Sequence, residues 1–264
     1  MFMSINEFLS RVESKLNNPW LNLFSTIYLN FRLCKLKDAI RLPLFFYGDV
    51  FLDCTMGVFE FPNGVHPGMV KFGVNSGHFL APKGKTYLYL KESSKVIVHG
   101  DCYFSIDVAL RLTESAVLEL SNKVRIGDSV KIMCENYIFI GENTGITFES
   151  QIIDTNFHYI EELDTGSIAR KNQPVIIGSN NWIGNHTSVM KGTHTPDWCI
   201  VGSGSLLNKN YGEEPYTIIA GIPAKIVRKE RKRIYDLDSE NSLDNIFLND
   251  KNKPYINSSD ICIR

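Results

Sequence analysis

Apolar residues recur every six positions through the middle of this chain. Val98, Phe104, Leu110 and Ala116 form one run. The phase slips and resumes at Leu120, Ile126, Ile132 and Ile138, then slips by two and resumes at Ile140, Ile146 and Ile152. After an interruption it continues through Ile177, Ile183, Val189, Thr195, Val201 and Leu207, where only Thr195 is polar. A six-residue period suits neither a lone helix nor an ordinary hairpin sheet. It is a multiple of two, so the marked side chains of an extended chain all face one way. If the chain turns a corner after every sixth residue, three sides make a triangular coil and the marked residues stack into one apolar column. The pattern therefore predicts an all-β chain built on a parallel β-helix. Gly127, Gly141, Gly178, Gly184 and Gly202 each follow a marked residue, and Asp128, Glu142, Asn143, Asn180 and Asn181 stand close by. Gly, Asn and Asp tolerate positive φ and local turn bonding, so these positions are read as corners. A β-sandwich also alternates apolar residues with glycines, but it does not produce six in-phase positions in succession.

The flanks follow other periods. Phe8, Leu9, Val12 and Leu16, then Leu21, Phe24, Ile27, Tyr28 and Phe31, repeat at three and four residues, which predicts a helical region over 1–43 that Pro43 ends. From 44 to about 90, short apolar runs broken by Gly and Pro predict strands and turns, so the β-helix domain is taken as 44–227. A basic run, Arg228 to Arg233, opens a polar region over 228–264 that is expected to be helical. An open coil end is a template for edge pairing, and the two flanking regions are expected to cover the ends.

The 264 residues are 44% hydrophobic, enough for a sizeable core. Lys and Arg number 28 against 29 Asp and Glu, which leaves no broad basic field of the kind nucleic acid requires. Six scattered cysteines include no CxxC pair, against a structural zinc site of that type. The first eighteen residues contain Glu7 and Glu13 and lack the apolar core of a signal peptide. The apolar stretch from Trp20 to Leu36 is interrupted by Asn22, Asn30 and Arg32, against a membrane span. A cytoplasmic protein with reduced thiols is expected.

The interruption of the hexad phase runs from Asp154 to Pro174, and residues 155–174 are read as a loop protruding from the coil. Loops on a rigid scaffold often carry function. This one holds His158, whose imidazole suits proton transfer near neutrality.

The segment that follows carries a resemblance. Trp182-Ile183-Gly184, then Gly202-Ser203-Gly204-Ser205, then Lys209, then Gly221-Ile222-Pro223-Ala224-Lys225 stand in the order found in the hexapeptide-repeat acyltransferases. The chain resembles most the maltose and galactoside acetyltransferases and the sugar O-acetyltransferases of polysaccharide synthesis, closely over about 120–230. The resemblance implies a left-handed β-helix, acetyl-CoA as donor, no metal, a sugar or polysaccharide-precursor hydroxyl as acceptor, and a homotrimer with sites between subunits. It places the essential histidine at His158, a tryptophan near the acceptor at Trp182, and coenzyme A contacts at Asn185, Ser203, Asn208, Lys209, Lys225 and Arg228. The chemistry fits: an imidazole takes the acceptor's proton as it attacks the thioester, and Lys or Arg pair with the donor's phosphates. A carboxylate fixing the imidazole is expected, Asp154 first, with Glu161 and Glu162 as competitors. The family's oxyanion donor, where it is a side-chain amide, has no counterpart here: Met133 and Cys134 occupy that place.

Two other readings stand beside this one. β-Helix carbonic anhydrases hold zinc with three histidines from two subunits, and His158, His186 and His194 are the candidates here. A non-catalytic β-helix scaffold is the other, favoured by the missing amide. Arg32, Lys35, Lys37 and Arg41 lie beside apolar residues and permit contact with a membrane surface, although a solvated helix face explains them more plainly.

Overall fold

The computed structural model of the protein describes residues 20–75, 84–249, 254–256 and 258. The expected helical pattern at Phe8, Leu9, Val12 and Leu16 lies outside them. The chain divides into two units, 1–231 and 232–264.

The first unit is a left-handed parallel β-helix with three faces. Its strands succeed one another round three sheets, of nine, seven and six strands, called here faces one, two and three. In one turn the chain passes from Gly145–Ile146 on face one to Gln151–Ile153 on face two and Val175–Ile177 on face three, then returns to face one at Trp182–Ile183. Within the three faces the ladders between named strands are parallel except the last on face one. Every in-phase residue named above, from Val98 to Leu207, is buried.

The phase slips have a structural cause. Ladder partners Leu88, Leu110 and Ile132 are 22 residues apart, Ile132 and Ile152 are 20 apart, and Val189 and Leu207 are 18 apart. The wider coils contain strands with two inward residues, such as Leu118 and Leu120, or Ile138 and Ile140. Only the last coils follow the six-residue rule on every side. The wide end is filled by Phe46, Phe72 and Phe104, stacked at centroid distances of 4.8 and 4.5 Å, with Phe59 edge-on to Phe72. At the narrow end Thr195 accepts hydrogen bonds from the Gly178 amide and from the buried side chain of Asn181.

The corner glycines act differently from the sequence expectation. Gly127, Gly141, Gly178, Gly184 and Gly202 do not have positive φ; that conformation falls on Ser129, Asn143, Asn180, His186 and Gly204. Gly127, Gly141, Gly178 and Gly184 are required because successive corners touch. A Cβ on Gly178 would lie 2.6 Å from the carbonyl carbon of Pro196, and one on Gly184 would lie 2.6 Å from the amide nitrogen of Ser203.

Helix α1 (Leu23–Leu33) closes the wide end. The Asn30 side chain donates to the Leu44 carbonyl and accepts from the Leu44 amide, and the Phe46 amide donates to the Thr26 hydroxyl. These bonds supply the edge strand Leu44–Phe46 with the partners that another coil would have given. Leu29 and Leu33 enter the core beside them. A short helix, α2 (Leu36–Ala39), follows. At the narrow end Ile218–Gly221 pairs antiparallel with Ala224–Arg228. A strand returning on the same face bonds the last free edge directly through its backbone. The second unit contains α3 (Leu237–Asn249), capped by Asp236, whose carboxylate accepts from the Ser239 amide. Among the described residues no helix is long and apolar enough to cross a membrane.

Truncating Phe72 to Ala removes a ring that is fully buried between two others, and should cost about 3–5 kcal/mol of stability. Urea unfolding followed by circular dichroism measures it, and a loss below about 1 kcal/mol would show that the stack collapses without penalty.

Candidate functional site

The loop after Gln151–Ile153 leaves the coil at the corner between faces two and three. It forms an antiparallel hairpin, Ile160–Glu162 with Ser167–Ala169, whose residues are all exposed. Val175 then resumes the ladder opposite Ile138, 37 residues further on where neighbouring turns advance 18 to 22. His158 stands exposed on the outgoing limb, next to Phe157, which takes a φ of 64°.

The base of the loop is tightly held. Glu135, from the coil below, accepts from the Thr155 hydroxyl at 2.9 Å and from the Lys171 ammonium at 2.8 Å. Thr155 in turn accepts from the Phe157 amide, and the Asn156 amide donates to the Lys171 carbonyl. Lys191 donates to the Arg170 carbonyl. One carboxylate thus ties the outgoing limb to the returning limb, and its bond to Lys171 raises that ammonium's pKa above the usual lysine value. The sequence reading missed Glu135, Thr155, Lys171 and Lys191. Glu135 was traceable, because it lies one coil before the loop at the same corner.

Among the described residues no hydrogen bond or ion pair joins Asp154 to His158. Asp154 is fully buried, with one oxygen accepting from the Glu135 amide and the other from the amides of Asn136 and Tyr137 and the Cys134 thiol. Burial raises its pKa from the ordinary carboxylate value, and those donors work in the opposite direction. Within one chain the carboxylate's bonds go to the turn of the coil below rather than to His158. Asp154 lies two residues after the in-phase Ile152, so its side chain points inward, where it organises the turn of the coil below. Among the described residues no hydrogen bond or ion pair joins His158 to Glu161 or Glu162 either. Met133, where an oxyanion amide was sought, points outward on face two between Arg111 and Ile153.

The remaining candidates are distributed around the narrow coils. Trp182 lies outward on face one, half exposed, and its ladder partner Gly145 has open space where a side chain would stand. Asn185 and Ser203 stack at the corner between faces one and two, with the Ser203 hydroxyl donating to the Asn185 side-chain Oδ1 at 2.5 Å. Asn208 and Lys209 lie on the same edge as the His158 loop, with the Lys209 ammonium 5.5 Å from the Tyr211 ring centroid. Lys225 and Arg228 are exposed on the final strand of face one. Within one chain, then, the candidates occupy different edges. His186 pairs with Glu149 and His194 with Glu213, and among the described residues no three His, Cys, Asp or Glu converge as a metal site would need.

No family model matches the chain. One curated relative, named "Putative lipopolysaccharide biosynthesis O-acetyl transferase WbbJ", from Escherichia coli K12, is 30% identical over 136 residues, covering 48% of this chain and 68% of the relative. This chain belongs to the O-acetyltransferase family of that relative. The galactoside O-acetyltransferase of Escherichia coli K12 is 33% identical over 60 residues, covering 23% of this chain and 29% of that protein. Among solved structures, the polySia-specific acetyltransferase NeuO superposes with a TM-score of 0.54 at 17% identity, covering 79% of this chain and 95% of NeuO. That likeness is one of fold.

Asp154→Asn should cost about 1–3 kcal/mol, because the amide cannot accept from all the donors that surround the carboxylate. If the role is structural, the rate–pH profile of any turnover keeps its midpoint while the unfolding midpoint falls. A shifted profile at unchanged stability would return Asp154 to the catalytic pair.

Proposed function

We propose that this O-acetyltransferase moves an acetyl group from acetyl-CoA to a hydroxyl of a sugar or polysaccharide precursor, with His158 as general base. The observation that carries the reading is a histidine on a loop anchored at both limbs to a rigid β-helix, in a chain of this family. The naming of the relatives for lipopolysaccharide and galactoside acetylation supports a carbohydrate acceptor. The order of motifs from Trp182 to Lys225 supports kinship nearest the maltose, galactoside and polysaccharide acetyltransferases.

In the proposed reaction the His158 imidazole takes the proton of the acceptor hydroxyl as its oxygen attacks the thioester carbonyl. The tetrahedral adduct collapses by breaking its C–S bond, and the imidazolium returns the proton to the departing thiolate. No acyl-enzyme is needed, since the thioester is already activated. Trp182 offers an aromatic face to the sugar, with room beside it over Gly145. Lys225 and Arg228, exposed on the last strand, suit the pyrophosphate and 3′-phosphate of the donor. Asn185, Ser203, Asn208 and Lys209 line the edges along which the pantetheine arm would lie. Because the corner of Asn185 and Ser203 lies on a different edge from His158, a homotrimer in which His158 of one subunit faces that corner of the next would complete the site. A cytoplasmic location fits the supply of acetyl-CoA.

The test is calorimetric binding of acetyl-CoA, followed by an acceptor screen that monitors CoA release. His158→Ala should keep donor binding and lose about 10²–10⁴-fold in turnover, the usual contribution of a positioned base. Lys225→Ala/Arg228→Ala should instead weaken donor binding. Failure of both acetyl-CoA and CoA to bind the folded wild type would overturn the reading.

A further inference from the structure

The helix that closes the wide end is amphipathic in the reverse sense. Its inward face holds Thr26, Leu29, Asn30 and Leu33, two of them polar and bonded to the edge strand. Its outward face holds Leu23, Phe24, Ile27, Tyr28 and Phe31, all exposed, with Phe24 at 81%. Trp20, just before it, is 77% exposed, and Leu36 and Ile40, just after it, are 70% and 64% exposed. A helix that only capped a coil would turn polar residues to water. A continuous outward apolar face of this kind marks an interaction surface.

The charges beside it indicate what covers it. Arg32, Lys35, Lys37 and Arg41 are exposed and alternate with Phe31, Leu36 and Ile40. Glu60 lies 3.7 Å from Lys35. Among the described residues no ion pair occupies Arg32, Lys37 or Arg41, and Asp38 is the one acid within the two helices. Aromatic and aliphatic side chains level with a cluster of cations are the composition that an anionic bilayer surface binds. The same cations, brought together from several copies of the chain, would repel, which disfavours self-association through this face.

We propose that the segment from Trp20 to Arg41 is a membrane-docking surface, on which α1 and α2 lie in the interface of an anionic bilayer. The aromatic and aliphatic side chains enter the boundary between headgroups and acyl chains, and the cations meet the phosphates. The segment lies on the bilayer and does not span it, consistent with helices too short to cross. The proposal is independent of the reaction proposed above.

The experiment is cosedimentation of the full chain with phosphatidylcholine vesicles, with and without phosphatidylglycerol, together with the tryptophan emission of wild type and Trp20→Phe. Binding should require phosphatidylglycerol, weaken with added salt, and shift emission to the blue in wild type but not in Trp20→Phe. Lys37→Gln and Arg41→Gln should each weaken binding about fivefold, the factor expected for one cation at a charged surface. Phe24→Ser/Phe31→Ser should abolish binding while keeping the wild-type unfolding midpoint, since both rings are at the surface. No binding to either vesicle overturns the proposal. So does a wild-type oligomer that falls apart in Phe24→Ser/Phe31→Ser without any vesicle binding, which would make the face a seam between copies. Equal binding to both vesicles would overturn the role of the cations.

Discussion

A parallel β-helix depends on each coil returning in register with the one before. Ladder spacing is about 4.8 Å, so a residue that misses its partner loses its hydrogen bonds and turns its side chain to the wrong face. The excursion between Ile153 and Val175 is where this constraint is hardest to meet, because the chain leaves the coil and must land opposite Ile138. Extra length alone is cheap, since closure entropy grows slowly with loop size. The more demanding requirement is to fix both limbs. Glu135 meets it from the coil below by holding Thr155 and Lys171 together, and the Gln173 amide closes the gap by donating to the Asp154 carbonyl. His158 gains a fixed base from bonds whose first effect is to preserve the register.

The same constraint explains how far the sequence could be read. The inward residues were legible because side-chain direction alternates locally, whatever the rest of the fold does. The circumference was not: a strand with one inward residue and a strand with two look alike until the next coil is known, and the slip at Ile138 and Ile140 is such a strand. The corner glycines were found for the wrong reason. Positive φ is a local property, whereas the contact of Gly178 with the Pro196 corner belongs to two coils stacked in space. Asp154 shows the opposite case. Its parity with Ile152 already pointed the carboxylate inward, but nearness in sequence to a candidate base drew it into the site. The residues proposed for donor and acceptor were legible only by resemblance, because spacing along one chain says nothing about edges that subunits would share.

Coil circumference also sets what the column can hold. In the wide coils the interior admits the stacked rings of Phe72 and Phe104, ladder partners 32 residues apart. Where the turns shorten to 18 residues, the column narrows to Ile, Val and Leu, and Thr195 enters it. Its hydroxyl is tolerable there because Asn181 and the Gly178 amide both donate to it, leaving no buried acceptor unpaired. The tapered coil thus puts its bulkiest packing next to α1 and its closest backbone contacts next to the residues proposed for the donor, where small side chains keep the surface low.

Helix α1 has two tasks with opposite demands on its surface. Ending a coil requires polar side chains facing inward, and Asn30 and Thr26 supply them. Once the inward stripe is polar, an apolar outward stripe adds nothing to the bonds that end the coil, and the proposed bilayer contact gives it a role. The ladder on face one fixes how that surface relates to the proposed base. Four steps separate Leu44–Phe46 from Gly145–Ile146, where the His158 turn begins, or about 19 Å along the axis at the usual ladder spacing. With the axis upright on a bilayer, an acceptor anchored in the same surface would need a saccharide of several units to reach His158. With the axis tilted, face two or face three would approach the headgroups and shorten that reach. The tilt of the coil, rather than the identity of the base, would then decide the length of acceptor the enzyme can use.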